Sequence, residues 1–355
     1  MIAQSQQRNR IDGLFKTSSL YAFRLIRIAE ILHRHRTMGG FDLLELIEYE
    51  RQSIEWGDYI SNDFFGCLPT SKQINRRELF EANAMPPTLL AQLGMINKKG
   101  KGFVEAYVYK ALEARLSSVR GVESYIKSST ADAFSIRELV TLFQTTPGLR
   151  RSIDKMYEIL VYALFATIVR ALKAQITLEI GNKDAEILKD FERFIKMVLG
   201  IDSKQTKLVL PAALYRVGVT NAADRGLDIW ANFGPAIQVK HLTLTPELVE
   251  DIADNITADR IVIACVDSEK EAIETLLKQV GWSERIQGII AISDLNDWYK
   301  LCLSKKYRAN LGAKLLQDVS REFTAEFPSS KEIDPFMVKR GYDKTAMPSD
   351  WQIQI

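Results

Sequence analysis

Residues 224–244 read DRGLDIWANFGPAIQVKHLTL. Two runs of alternating character, Leu227 to Phe233 and Ala236 to Leu242, flank Gly234-Pro235 and predict a β-hairpin. Side chains alternate faces along a strand, so Gln238 and Lys240 share a face. A three-residue turn over Phe233, Gly234 and Pro235 sets Asp228 opposite Lys240, with Gln238 its diagonal neighbour. Residues directly opposed across a hairpin lie roughly 5 Å apart. One carboxylate, one amide oxygen and one ammonium are thereby gathered on one patch.

The flanking sequence fixes the class. Downstream, Pro246 to Asn255 reads as a helix, Arg260 to Val266 (RIVIACV) as a buried strand, Glu269 to Val280 as a helix and Ile286 to Ile292 as another strand. Helices follow over Leu295 to Leu303 and Ala309 to Phe323. Upstream, Lys207 to Val217 is strand-like, Ala185 to Leu199 is an amphipathic helix, and a long helix covers Ile153 to Ala174. Its apolar run, Ile159 to Val169, is too short for a membrane span of about 20 residues, so it is a buried core helix and no membrane association is expected. The pattern predicts an α/β fold, a mixed sheet flanked by helices, with strand-helix units after the hairpin.

The first 150 residues read as helical. Ser18 or Ser19 caps a helix to about Arg36, which Gly39-Gly40 stops. A second helix is expected over Phe41 to Arg51, a loop-like stretch over Trp56 to Ser71, a helix opened by Pro86-Pro87, and another over Phe103 to Ser118. Ser135-Ile136-Arg137-Glu138 matches a capping box for a helix to about Gln144. Pro147-Gly148 marks a boundary. The expected organisation is a helical region 1–150, an α/β domain 151–327 that carries the hairpin, and an irregular tail 328–355.

Composition excludes several classes. Of 355 residues, 46% are hydrophobic and 26% charged, which suits a globular chain and not a disordered one. Lys+Arg number 47 against 45 Asp+Glu, so the net charge of +2 rules out a bulk polycation but not a local basic surface. Cys67, Cys265 and Cys302 are too few and too scattered for a disulfide framework or a cysteine zinc site, and the N-terminus has no signal-peptide character. A reducing cytoplasm is the expected location.

The hairpin patch suits Mg²⁺, which prefers hard oxygen ligands and keeps several waters. Asp228 would bind the ion directly and Gln238 would offer its carbonyl oxygen or position a water. Bound there, the ion would acidify an attacking water and screen a phosphate. Lys240 would stabilise the transition-state anion. These are parts for hydrolysing a phosphodiester. The ordinary alternative is a surface ion pair of little energetic weight.

Gly-x-Asp on one strand and Gln-x-Lys on the next resemble the PD-(D/E)xK nuclease motif, with Gln at its middle position and Leu227 where that motif has proline. The same Gln form occurs in Mrr-like members. The whole stretch 224–244, with Lys155-Met156-Tyr157-Glu158 and its apolar helix, is similar to type II restriction endonucleases of the HaeII family. That resemblance implies a Mg²⁺-dependent, site-specific endonuclease acting on double-stranded DNA. It also implies a restriction-modification system whose cognate methyltransferase acts on the same site without stable binding, and a target like purine-GCGC-pyrimidine. A palindromic target calls for a homodimer.

PD-(D/E)xK enzymes often add a carboxylate from the helix before the sheet. Glu158 fills that place and would restore the charge that Gln238 lacks; Glu186 and Glu192 are alternatives, and Glu158 also fits as a first-turn acid favoured by the helix dipole. Asp224 fixes the turn or pairs with Arg225. His241 faces away, and His33 and His35 make no metal site. For DNA contact, the glycine-flanked turn of Lys98, Lys99 and Lys101 comes first, with Arg225 beside the hairpin. Arg34-His35-Arg36, Arg76-Arg77, Arg150-Arg151 and Lys305 to Arg308 are further basic clusters, each by itself more often a solvated face. Two rivals stand beside this reading: a nuclease of the same fold that acts on modified or structured DNA, and a DNA-binding module without catalysis.

Overall fold

The computed structural model describes residues 2–18, 20–68, 78–146, 149–202, 205–217, 227–240, 260–279, 286–327 and 332–353. The chain divides into two compact units. The first comprises Met1–Ser128, Ser135–Ile153 and Phe323–Ile355, and the second Ser129–Phe134 and Asp154–Glu322.

The first unit is helical: α1 (Ile2–Thr17), α2 (Phe23–Thr37), α3 (Glu50–Phe65), α4 (Pro87–Lys99), α5 (Phe103–Ser128) and α6 (Ile136–Thr145). Ser135 caps α6 by accepting the Glu138 N–H, as the capping box requires. Where a loop was expected over 56–71, α3 runs to Phe65. Its buried face includes Ser53, Gly57 and Ser61, small residues that carry no hydrophobic period yet let α2 approach: a Cβ on Gly57 would lie 3.2 Å from the Arg27 Cβ, and Arg27 Nε donates to Ser53 Oγ at 2.8 Å. Of the helix expected over 41–51, residues 41–49 are instead turns and a single 3₁₀ turn, Leu46–Glu48, because Asp42 accepts the Leu44 N–H and gives its own N–H to Glu48, and Glu50 already opens α3. Past Ser118, α5 continues for ten residues; the Ser118 hydroxyl bonds back to the Ala114 carbonyl instead of breaking the helix. Pro147-Gly148 and Ser19 lie outside the described residues.

In the second unit, α7 (Ile153–Ala171) is followed by β1 (Gln175–Glu179), unforeseen in the sequence, then α8 (Ala185–Asp190), α9 (Glu192–Phe194), a π-helical turn Ile195–Leu199, and β2 (Lys207–Pro211). β1 and β2 form a two-stranded antiparallel ribbon. The strand-like run from Lys207 therefore splits: its second part, β3 (Leu214–Arg216), starts a separate five-stranded sheet. That sheet continues with β4 (Ile229–Ala231), β5 (Pro235–Lys240), β6 (Arg260–Cys265) and β7 (Ile286–Ala291) in the order β3-β4-β5-β6-β7, antiparallel as far as β5 and parallel beyond it. This is the mixed sheet expected. The helices α10 (Lys270–Gln279), α11 (Ile292–Leu303) and α12 (Ala313–Glu326) complete the order. In this unit α7 buries Ile159, Leu160, Val161, Ala163 and Leu164. Tyr299 of α11 donates to the Leu160 carbonyl at 2.9 Å, and Thr167 of α7 donates to Asp318 of α12 at 2.9 Å.

The segment expected to be an irregular tail from 328 is a correction. It carries a helix, Ile333–Arg340, ended by Gly341 at φ +72°, and it belongs to the first unit. Aromatic side chains hold it. Trp351 is fully buried with its ring 5.1 Å from those of Phe103 and Tyr107, and Arg340 pairs with buried Glu30 at 3.0 Å.

Candidate active site

The hairpin of β4 and β5 forms in a register two residues away from the expected one. Ile229 pairs with Ile237 and Trp230 with Ala236. Pro235 is not in the turn but opens β5, a position where its missing N–H is tolerated. The turn is made by Asn232, Phe233 and Gly234, with Gly234 at φ +117° bonded to the Ala231 carbonyl. Asn232 locks it: its Oδ1 accepts the Ala213 N–H at 2.8 Å and its Nδ2 donates to the Pro211 carbonyl at 3.1 Å. Continuing the register sets Asp228 across from Gln238, not from Lys240 as expected.

At Asp228 the chain leaves the sheet. Its carbonyl still accepts the Val217 N–H at 2.9 Å, while its carboxylate Oδ2 accepts the Val239 N–H at 2.8 Å, taking the place of a ladder carbonyl. The carboxylate is therefore fixed against the backbone beside Gln238. Gln238 is 1% exposed, and its Oε1 is buried without a hydrogen-bond partner. Among the described residues of this unit, no other buried side-chain acceptor is left so. An unsatisfied buried oxygen costs on the order of 1–3 kcal/mol, and a cation would relieve it. A carboxylate fixed on the backbone N–H of Val239 and an orphaned amide oxygen on the residue before it are both hard oxygen donors of the kind a divalent ion takes. Lys240 lies two residues further along β5, at the register position paired with Cys265.

Glu158 sits in α7, 4% exposed, with both carboxylate oxygens 2.8 Å from Lys155 Nζ one turn earlier. Burial, with a contribution from the Asp267 charge, pushes the neighbouring Tyr157 hydroxyl up. Asp228 and Gln238 are thus brought together by a hydrogen bond and register, while the carboxylate of Glu158 is held by Lys155 on its own helix. Of the alternatives to Glu158, Glu186 and Glu192 are both exposed. Asp224, Arg225 and His241 lie outside the described residues. No group of three His, Cys, Asp or Glu side chains able to hold a metal occurs among the described residues; the set here relies on an amide.

One neighbour was missed. Tyr215 and Trp230, paired across β3 and β4, stack with ring centroids 4.5 Å apart and stay more than 40% exposed, two residues from Asp228. The alternation of Asp228 and Trp230 was the available signal.

In the first unit, Lys98, Lys99 and Lys101 are exposed at the end of α4 and in the turn after it. The turn is rigidly built. Lys101 has φ +53° and Gly102 φ +96°, and a Cβ on Gly102 would come within 3.0 Å of the Arg36 guanidinium. Beneath it, Asn97 donates to Glu105 at 2.6 Å and accepts the Val104 N–H. Arg36 donates to both oxygens of Glu105, so it is no free phosphate grip, and Tyr342 and His33 complete the cluster. Burial alone would raise the Glu105 carboxyl, but the hydrogen bonds from Arg36, His33, Tyr342 and Asn97 together bring it down to about 2. Of the other basic clusters, Arg308 pairs with Asp132 within the second unit, and Arg76-Arg77 are outside the described residues.

The sequence profile of the HaeII restriction endonuclease family matches residues 7–342. The chain is 42% identical to the type II restriction enzyme HaeII of Haemophilus aegyptius, over 95% of this chain and 96% of that one. It is 41% identical to the type II restriction enzyme NgoBI of Neisseria gonorrhoeae, over 97% and 98% of the two chains. No solved structure matches it significantly.

Proposed function

The chain belongs to the HaeII restriction endonuclease family, and from that premise we propose that it is a Mg²⁺-dependent type II endonuclease that hydrolyses double-stranded DNA at a defined sequence. Asp228, Gln238, Lys240 and Glu158 form its site. The observation that carries the assignment is the buried, unpartnered Gln238 Oε1 beside a carboxylate pinned to the Val239 N–H. Asp228 and the Gln238 carbonyl oxygen hold the ion, with Glu158 supplying further negative charge. Bound Mg²⁺ supplies an acidified water and neutralises phosphate charge. The Lys240 ammonium stabilises the charge that builds on the scissile phosphate. Lys98, Lys99, Lys101 and Arg225 contact the DNA backbone, a contribution that weakens with salt.

The enzyme works as a homodimer on a twofold-symmetric target, in a cytoplasm where a cognate methyltransferase protects the same sequence. Among the described residues no helix is long and apolar enough to cross a membrane, and all three cysteines are free.

The test is to digest a sequenced phage genome with purified protein, with MgCl₂ and with EDTA, and to map the ends. Magnesium-dependent ends at one recurring word, compared with purine-GCGC-pyrimidine, are expected. Scattered ends, or cutting confined to methylated DNA or to junctions, contradict a restriction function.

A further inference from the structure

Residues 172–211 of the second unit form a module that buries almost nothing. It holds the β1–β2 ribbon and the helical stretch from Ala185 to Leu199, through which hydrogen bonds run on from Asp184 to Leu188, Ile187 to Phe191 and Phe191 to Ile195. Among its described residues only Ile195 and Ile201 are buried. A lone two-stranded ribbon and a lone helix of this length are each marginal in water. Such a module is stabilised by something laid against it.

The helical stretch says what. Leu188, Ile195 and Leu199 make its less exposed row. A second apolar row, Ile187, Phe191, Phe194 and Val198, recurs at the i, i+4, i+7, i+11 spacing of a helix–helix seam and is 45–61% exposed. Charge divides along the same stretch. The first half, to Glu192, has Glu186, Asp190 and Glu192 against Lys189 alone, and the second half has Arg193 and Lys196 with no acid. An antiparallel pairing of two such helices sets acid against base, whereas a parallel one sets like against like.

We propose that this module is where two copies of the chain pair, helix against helix, antiparallel about a twofold axis. Such an interface is isologous: each copy offers the same row to the other. The inference rests on the reading of the enzyme as one that cuts a twofold-symmetric target, and assigns the surface that makes the pair.

The test is sedimentation of the full-length chain without DNA from nanomolar to micromolar concentration. The expected species has twice the 40.3 kDa chain mass. Phe191→Asp with Phe194→Asp should weaken the dimer at least about 100-fold, as loss of two central anchors does. Arg193→Glu with Lys196→Glu should weaken it as well, and adding Asp190→Lys with Glu192→Lys should restore it by reversing both halves. Circular dichroism checks folding; if the aspartate pair unfolds the chain, the charge reversals, which sit on exposed side chains, decide the matter. A wild-type chain that stays monomeric at micromolar concentration, or a dimer indifferent to both sets, overturns the proposal. Cleavage assays run alongside keep the two readings apart: a monomer that cuts at one word overturns the interface and leaves the nuclease, while a dimer that depends on this row and cuts no DNA leaves the interface and overturns the nuclease.

Discussion

Glu105 in the first unit and Gln238 in the second are both polar side chains sunk in a core, and their surroundings are opposite. Glu105 has both oxygens occupied, by Arg36, Asn97, Tyr342 and His33. Gln238 leaves its Oε1 with nothing. A buried polar group that is fully paired specifies structure; one left unpaired is a standing cost that a ligand can relieve. On the function proposed above, the first kind of site belongs to stability and the second to catalysis, so substitutions at the two should fail in different ways.

The largest effect is expected on chemistry. Asp228→Ala and Lys240→Ala should each lower single-turnover cleavage by at least about 10²–10³-fold, with DNA binding in EDTA kept, as gel shift and quench assays would show. Either variant cutting at the wild-type rate removes that residue from the site. Asp228→Asn separates two roles, because the amide oxygen still accepts the Val239 N–H while the charge is gone; it should fold as the wild type does and not cut.

Glu105→Ala should do the reverse. Removing the carboxylate strands the Arg36 guanidinium and should destabilise the protein by about 3–5 kcal/mol in urea unfolding. The metal requirement for cleavage by the folded fraction should be unchanged. The same group sets an acid limit. Its carboxyl is held below the ordinary value of 4.5, so its contribution is whole above that pH and drains away as pH falls towards 2. Wild-type stability should drop across that window, and a Glu105→Gln protein, less stable throughout, should show a shallower drop. Equal slopes would mean that other carboxyls dominate acid unfolding.

The smallest shift in stability, and the sharpest contrast, is expected at Gln238. Replacing it by leucine removes an unpaired oxygen, so the metal-free protein should be unchanged or more stable by up to about 1–3 kcal/mol, yet cutting should be lost. A large loss of stability in Gln238→Leu would show that the amide is paired in solution and that the contrast with Glu105 is false.

The alternation around Gly234-Pro235 and the apolar run from Arg260 made the sheet legible, because a period of two and buried β-branched runs are carried by side-chain type alone. Register was not. A turn over Phe233 to Pro235 and one over Asn232 to Gly234 share Phe233 and Gly234, and what chooses between them is Asn232 reaching Pro211 and Ala213, a contact between distant segments. α3 was illegible because the buried face of its first half is Ser53 and Gly57, which signal a loop unless a neighbouring helix comes close, and its buried Ile60, Phe64 and Phe65 come only at its end. The C-terminal helix and Trp351 were illegible for the same kind of reason, since their anchors, Glu30, Phe103 and Tyr107, lie hundreds of residues away. At the site, Asp228, Gln238 and Lys240 could be named from spacing, but the orphaned oxygen could not, for it exists only once the surrounding chain has shut out water.

Calorimetric titration of the DNA-free protein with Mn²⁺ tests that oxygen's role most directly. The wild type should bind the ion at a site that Asp228→Ala abolishes and Gln238→Leu weakens, with Glu105→Gln leaving its affinity untouched. Equal binding by the wild type, Asp228→Ala and Gln238→Leu would contradict the account.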